Sequence, residues 1–238
     1  MTRIKLYLIS GPRLSIRRHG MRLRRNLFDI VVFYFNLRGS RTNNLSFSPI
    51  SLTLSIMNRA FTVAALKSIN TVGAVSPSSK YLANRMTRLL DERTDYIVEL
   101  GAGTGAITRR IAAKAPSSCK IDSLEIDPEL YVQLSSDRGM AGYENLHFHL
   151  RSAYDFRSCI DQGRRPDLII SSLPLALLPK QQVMRMLIDC REVLKGGGAF
   201  VQFQYSPESL GLLRKVFEEV HVSVEVRNIP PALVYTCR

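Results

Sequence analysis

Tryptophan is absent from the 238 residues, and histidine and cysteine occur only four times each. Cys119, Cys159, Cys190 and Cys237 stand too far apart for a zinc-binding pair, and the chain is too long for a disulfide-stapled mini-domain. They read as plain thiols of a reducing compartment. His147 and His149 alternate along a strand-like stretch with no third ligand in reach, so no metal is expected. No apolar run near the N-terminus reaches the ~20 residues of a membrane-spanning helix. The longest one there, 27–37, is interrupted by Asp29 and Asn36. No small-residue cleavage site follows it closely, which argues against a cleavable signal peptide.

Acidic residues are also scarce: 20 against 33 basic ones, for a net charge of +13. Such an excess points to a polyanionic partner, either nucleic acid or an anionic membrane surface. The excess is local. Residues 1–60 hold eleven basic residues and one acid, a net of +10, while 61–238 carries only +3. A nucleic-acid-binding fold usually carries its positive charge on the domain itself, so nucleic acid is disfavoured as the partner. The remaining composition, 45 % hydrophobic and 22 % charged, allows a packed core.

Residues 1–56 are expected to form a basic, poorly structured extension. It reads as a membrane-surface arm, a targeting segment, or sequence ahead of a true start at Met57. Residues 57–238 are expected to form the domain, with helices over 57–91 as a lid. Phe61, Ala65, Leu66 and Ile69 recur at helical spacing. Ser76-Pro77-Ser78-Ser79 then opens a second helix carrying Leu82, Met86, Leu89 and Leu90. From Asp95 the chain alternates strands (96–100, 121–126, 146–150, 168–171, 199–204) with helices (to about 115, 128–138, 181–194, 210–219). It ends in two consecutive strands, 220–226 and 233–237. That order predicts an α/β fold: a mostly parallel sheet, helices on both faces, and one C-terminal antiparallel hairpin.

The sharpest chemical signal is Val98-Glu-Leu-Gly-Ala-Gly-Thr-Gly105, where a strand turns into a helix. Glycines there allow a tight turn and let a cofactor approach the main chain. Glu125 follows twenty residues after Gly105, at the end of the next strand, where an acid can hold the ribose hydroxyls of an adenosine. Dinucleotides and S-adenosylmethionine both fit this much. Glu99 separates them, because a carboxylate under the turn repels a pyrophosphate and suits an ammonium and a sulfonium. A glycine-rich turn with no ligand stays as the third reading.

Together with Glu125-Ile-Asp-Pro128, these motifs resemble the seven-stranded, Rossmann-like class I S-adenosylmethionine-dependent methyltransferases. Val72-Gly-Ala-Val-Ser-Pro-Ser-Ser79, Ile169-Ile-Ser-Ser-Leu-Pro-Leu175, Val201-Gln-Phe-Gln-Tyr-Ser-Pro207 and Asn228-Ile-Pro-Pro-Ala232 narrow the likeness. They resemble bacterial phospholipid N-methyltransferases of the phosphatidylethanolamine type, relatives of the rRNA adenine dimethylases. The resemblance covers about 61–238. It implies a cofactor, S-adenosyl-L-methionine, held by Glu99, Gly101, Ala102, Gly103 and Gly105, by Glu125 and Ile126, and by Ser152, Ala153 and Ser171. Ser78 and Ser79 would close over it. Ser172, Leu173 and Pro174, with the Tyr205 hydroxyl, would face the substrate amine, the carbonyls of Ser172 and Leu173 accepting its hydrogen bonds. Two departures stand out. Arg151-Ser152-Ala153 replaces the family's Gly-Asp-Ala, and Ser172 replaces a Gly before Leu-Pro. The implied substrate is a membrane phospholipid, met by a cytoplasmic enzyme at the inner membrane face. Two alternatives remain: RNA adenine N6-methylation, and a catalytically weak membrane-binding module that keeps the cofactor fold.

Overall fold

The computed structural model describes residues 5–8, 14–18, 21–25 and 78–238. The chain divides into two units, Met1–Leu54 and Ser55–Arg238. In the first, β1 (Lys5–Leu8), β2 (Leu14–Arg18) and β3 (Met21–Arg25) form an antiparallel sheet in that order. The register pairs Leu6 with Ile16 and Ile16 with Leu23. The basic extension expected over 1–56 includes these three strands. The strands follow a period-two apolar pattern in the sequence, through Leu6 and Leu8, Leu14 and Ile16, and Met21 and Leu23. The helix expected over Phe61–Ile69 and the proposed start at Met57 lie outside the described residues.

The second unit carries a seven-stranded sheet ordered β6-β5-β4-β7-β8-β10-β9. The strands are β4 (Tyr96–Leu100), β5 (Lys120–Glu125), β6 (Leu146–Leu150), β7 (Leu168–Ser171), β8 (Ala199–Gln204), β9 (Val220–Glu225) and β10 (Ala232–Cys237). The first five are parallel, and β10 runs antiparallel between β8 and β9. Helices α1 (Lys80–Met86), α2 (Ala106–Lys114), α3 (Pro128–Ser135), α4 (Lys180–Val193) and α5 (Leu210–Val216) complete it. This is the architecture that the strand–helix alternation predicts, a mostly parallel sheet with one antiparallel hairpin at its C-terminal end.

Strand alternation sorts the core into two layers. Tyr96, Val98, Leu100, Ile169 and Phe200 pack with α4 and α5, while Ile97, Ile121, Ile170 and Val201 pack with α1 and α2. Three helices are shorter than their apolar patterns suggest, α1 ending at Met86 so that Leu89 and Leu90 fall outside it. The chain leaves α3 when the Asp137 carboxylate accepts the Gly139 N–H and the Asp137 carbonyl accepts that of Met140, closing a turn. It leaves α5 because Phe217 turns extended and stacks on Phe200, their centroids 5.5 Å apart. Burying that ring is worth roughly 2–3 kcal/mol, more than three frayed helical residues contribute. Two short 3-10 turns, Ala153–Cys159 and Pro207–Ser209, were not expected.

The chain order reverses between β4 and β7. At such a switch point the loops leaving the strands diverge and open a crevice.

Candidate active site

A cavity of about 380 Å³ occupies that crevice. Its floor is the Gly101–Thr104 turn after β4. One wall is Glu125 and Ile126 after β5, with Arg151 and Ala153 after β6. The opposite wall is Ser172–Pro174 after β7 and Phe203–Tyr205 at the end of β8, with Ser78 at the rim.

The three glycines of the turn have φ of +81°, +56° and +78°, a region that L side chains avoid. Beyond φ, their reasons differ. A Cβ on Gly101 would come within 3.0 Å of the Leu173 side chain. On Gly105 it would lie 2.6 Å from Leu134 Cδ2 and 3.2 Å from Met140 Cε. Gly105 thus lies against Leu134 of α3 and is not among the residues lining the cavity. Around Gly103 nothing lies within 4 Å. Its backbone is open to the cavity, a cradle that a side chain would fill and a ligand can approach. An adenosine-bearing cofactor can approach that open main chain closely.

Glu125 anchors the cradle. Its Oε2 accepts the Gly103 N–H at 2.7 Å, and its Oε1 accepts those of Ile126 and Asp127 at 2.9 Å. A carboxylate offers about four lone-pair sites. Three are occupied, so one is open to a hydroxyl from the cavity. Glu99 lies deeper. It is 0 % exposed, below the wall, on the sheet face covered by α2. Ser123 Oγ donates to its Oε2 at 2.7 Å, while Oε1 has no donor. Burial pushes its carboxyl up to about 7, against the lowering influence of the Ser123 and Thr108 hydroxyls; the Glu125 charge adds to the rise. Thr108 Oγ1 makes no hydrogen bond of ordinary geometry. Glu99 is not among the residues that line the cavity.

The other expected cofactor residues divide. Ser78, Ala102, Ile126 and Ala153 line the cavity. Ser79 caps α1, accepting from Leu82 N at 3.2 Å, and its own N–H is held by Asn228 Oδ1 at 3.0 Å. Ser152, expected near the adenine, caps the 3-10 turn by accepting from Tyr154 N at 3.2 Å and is not on the wall. Ser171 is buried at the end of β7, below the cavity.

On the expected substrate side, Ser172, Leu173, Pro174 and Tyr205 all line the cavity. Burial raises the Tyr205 hydroxyl, with Asn228 pulling the other way. Three donors already reach the Leu173 carbonyl that was expected to face the amine: Gln202 Nε2 at 3.0 Å, Gln204 Nε2 at 2.7 Å and Leu175 N at 2.9 Å. The sequence reading missed Arg151, Phe203 and Gln204 among the wall residues. The glutamines had a signal, two amides at alternate positions of an otherwise apolar strand. No group of three or more metal-ligating side chains occurs among the described residues.

A family model and a curated relative both point to methyl transfer. A family model described as a methyltransferase domain matches residues 97–198. An ornithine lipid N-methyltransferase from Singulisphaera acidiphila is 32 % identical over 171 residues, covering 70 % of this chain and 88 % of that protein. Among solved structures, the DhpI–SAH complex superposes with a TM-score of 0.53 at 19 % identity, over 76 % of this chain and 94 % of that one. Precorrin-6y C5,15-methyltransferase from Geobacter metallireducens does so with a TM-score of 0.53 at 15 % identity, over 67 % and 86 %. At such identities these structures speak to the fold alone.

Proposed function

Because the chain belongs to the S-adenosylmethionine-dependent lipid N-methyltransferases, we propose that it methylates the primary amine of a membrane phospholipid headgroup of the phosphatidylethanolamine type. The observation that carries this reading is where the exposed apolar side chains lie. Ile126 follows β5, Leu150 ends β6, Leu177 follows β7, and Val226 and Ile229 follow β9, which is parallel to β8. All five therefore stand on the edge of the sheet where the cavity opens. Ile229 is 89 % exposed and Ile126 67 %. Lys80, Arg151, Lys180 and Arg227 are exposed on the same edge, with Asp127, Glu129 and Asp155 among them. Apolar side chains interspersed with cations around a cavity mouth suit a bilayer surface with anionic lipid. The enzyme would work there as a peripheral protein on the cytoplasmic face.

Bound S-adenosylmethionine supplies an electrophilic methyl group on a sulfonium. The protein's residues prepare the site around it. The open Gly103 main chain receives the cofactor, Glu125 offers its remaining acceptor position to a ribose hydroxyl, and Ser78 stands at the rim. Glu99 places a titratable carboxyl beneath a cationic ligand. On the other wall the amine must be held about 3 Å from the methyl carbon, with its lone pair free. A lipid amine arrives as an ammonium with a pKa near that of lysine, about 10.4. Leu173, Pro174 and Phe203 exclude water and so favour the neutral amine. The Ser172 carbonyl and the Tyr205 hydroxyl are acceptors in reach of its N–H groups.

The test is labelled-methyl transfer from S-adenosylmethionine to phosphatidylethanolamine vesicles and to RNA in parallel. Label in the lipid and none in RNA is expected. Label in RNA alone would overturn the lipid reading in favour of adenine methylation, and cofactor binding with label in neither would leave a membrane-binding module.

A further inference from the structure

The glutamine pair on β8 explains why the Leu173 carbonyl is closed to substrate and what replaces it. Gln202 and Gln204 stand two residues apart on one strand and so share a face. Both donate from Nε2 to the Leu173 oxygen, and Gln202 Nε2 also donates to Phe203 O at 2.6 Å. They differ in depth. Gln202 is 0 % exposed and its Oε1 is enclosed without a partner. Gln204 is 5 % exposed and lines the cavity beside Ser172, Pro174 and Tyr205. With Nε2 fixed on Leu173, the orientation of the Gln204 amide is set, and no hydrogen bond among the described residues reaches its Oε1.

We infer that Gln204 Oε1 holds an N–H of the substrate amine, and that Gln202 is a positioning residue that locks the Leu173 loop under it. The inference rests on the amine-methylation reading above. An amide oxygen suits the task because it is neutral. A carboxylate would bind the ammonium tightly and raise its pKa, and so hold the amine in its unreactive form. The two carboxylates of the site are withdrawn from this wall: Glu99 is buried below the turn, and Glu125 is tied to three backbone N–H groups on the opposite side.

This arrangement bears on how many methyl groups are added. A neutral primary amine aligned for transfer has two N–H groups to offer, a monomethylated amine has one, and a dimethylated amine has none. Gln204 therefore supports the first two transfers and not the third.

The experiment measures kcat and KM of the full-length enzyme on mixed micelles of phosphatidylethanolamine, its N-methyl derivative and its N,N-dimethyl derivative. Wild type is expected to favour the first two over the third by on the order of tenfold, the worth of one such hydrogen bond. Gln204→Leu should lose that factor on the first two in kcat and change little on the third. Gln204→Glu, close to isosteric, should move the acid limb of the pH–rate profile upward. Gln202→Leu should lower all three rates together and leave the preference intact. Equal wild-type rates on the three lipids would overturn the inference, as would a Gln204→Leu enzyme with an unchanged preference. Should Gln204→Leu not fold, an unshifted profile in Gln204→Glu overturns it equally. If wild type methylates none of the three, the lipid-amine reading itself is wrong.

Discussion

Replacing Glu99 by Gln should change both stability and cofactor binding in a pH-dependent way. Burial raises the Glu99 carboxyl from an ordinary 4.5 to about 7. Below pH 4.5 the folded and unfolded chains both carry its proton, and it contributes no pH dependence. Between 4.5 and 7 the unfolded chain releases the proton while the folded chain keeps it, so stability falls as pH rises. Above 7 the loss is complete. A rise of two to three units at ~1.4 kcal/mol each is on the order of 3 kcal/mol. Glu99→Gln has nothing to titrate and keeps an oxygen for Ser123. Its stability relative to wild type should therefore increase by up to about 3 kcal/mol between pH 4 and pH 8, read from urea denaturation followed by circular dichroism. Cofactor binding should respond in the opposite sense. A cation bound above the turn favours the carboxylate, so wild type should release a fraction of a proton on binding S-adenosylmethionine near pH 6.5. That release appears in calorimetry as a dependence of the binding enthalpy on buffer ionisation heat. Glu99→Gln should bind more weakly at pH 8 and release none. A stability difference that is flat across pH, with buffer-independent binding enthalpy in wild type, would refute both the burial argument and the electrostatic role.

The glycines of the turn should separate by function. Gly105→Ala should cost 2 kcal/mol or more through the contacts with Leu134 and Met140, seen as a lower Tm. Gly103→Ala should cost only about 1 kcal/mol of backbone strain, yet weaken S-adenosylmethionine binding measured by calorimetry. Ile229→Asp should reduce turnover on anionic vesicles and spare turnover on detergent-dispersed lipid; equal activity on both would remove the loop from the membrane contact. Glu225 is buried, which by itself raises its carboxyl, but hydrogen bonds and charge from Arg227 and Arg85 hold it down at about 2. A depressed carboxyl stabilises fully above its ordinary 4.5 and ceases to do so as pH falls toward 2. Glu225→Gln should therefore lower the Tm at pH 7 and converge with wild type in strong acid.

The strands and the glycine turn were legible because their causes are local. Leu168–Ser171 is an apolar run bounded by Asp167 and by Leu173-Pro174, and nothing outside it is needed to make it a strand. Glycines at 101 and 103 answer to backbone torsion and close approach, both consequences of a strand turning sharply into a helix. What stayed hidden depends on contacts across the sheet. The Leu173 carbonyl loses its freedom to amides 29 and 31 residues away, which meet it only because β7 and β8 pair in register from Leu168–Ala199 onward. Ser152 occupies the position where an adenine ligand was expected, but a 3-10 turn that no periodicity announces takes its hydroxyl as a cap. Gly105 fits the motif for a reason the motif does not contain, the approach of α3 from behind. A linear pattern can thus name the segments that surround a site, because each segment folds largely from its own residues. Which atom of a segment is left free to do chemistry is settled by the neighbours that use up the others. Here the chain's pairing transfers the acceptor role from a loop carbonyl to a strand side chain, without changing any of the motifs that point to methyl transfer.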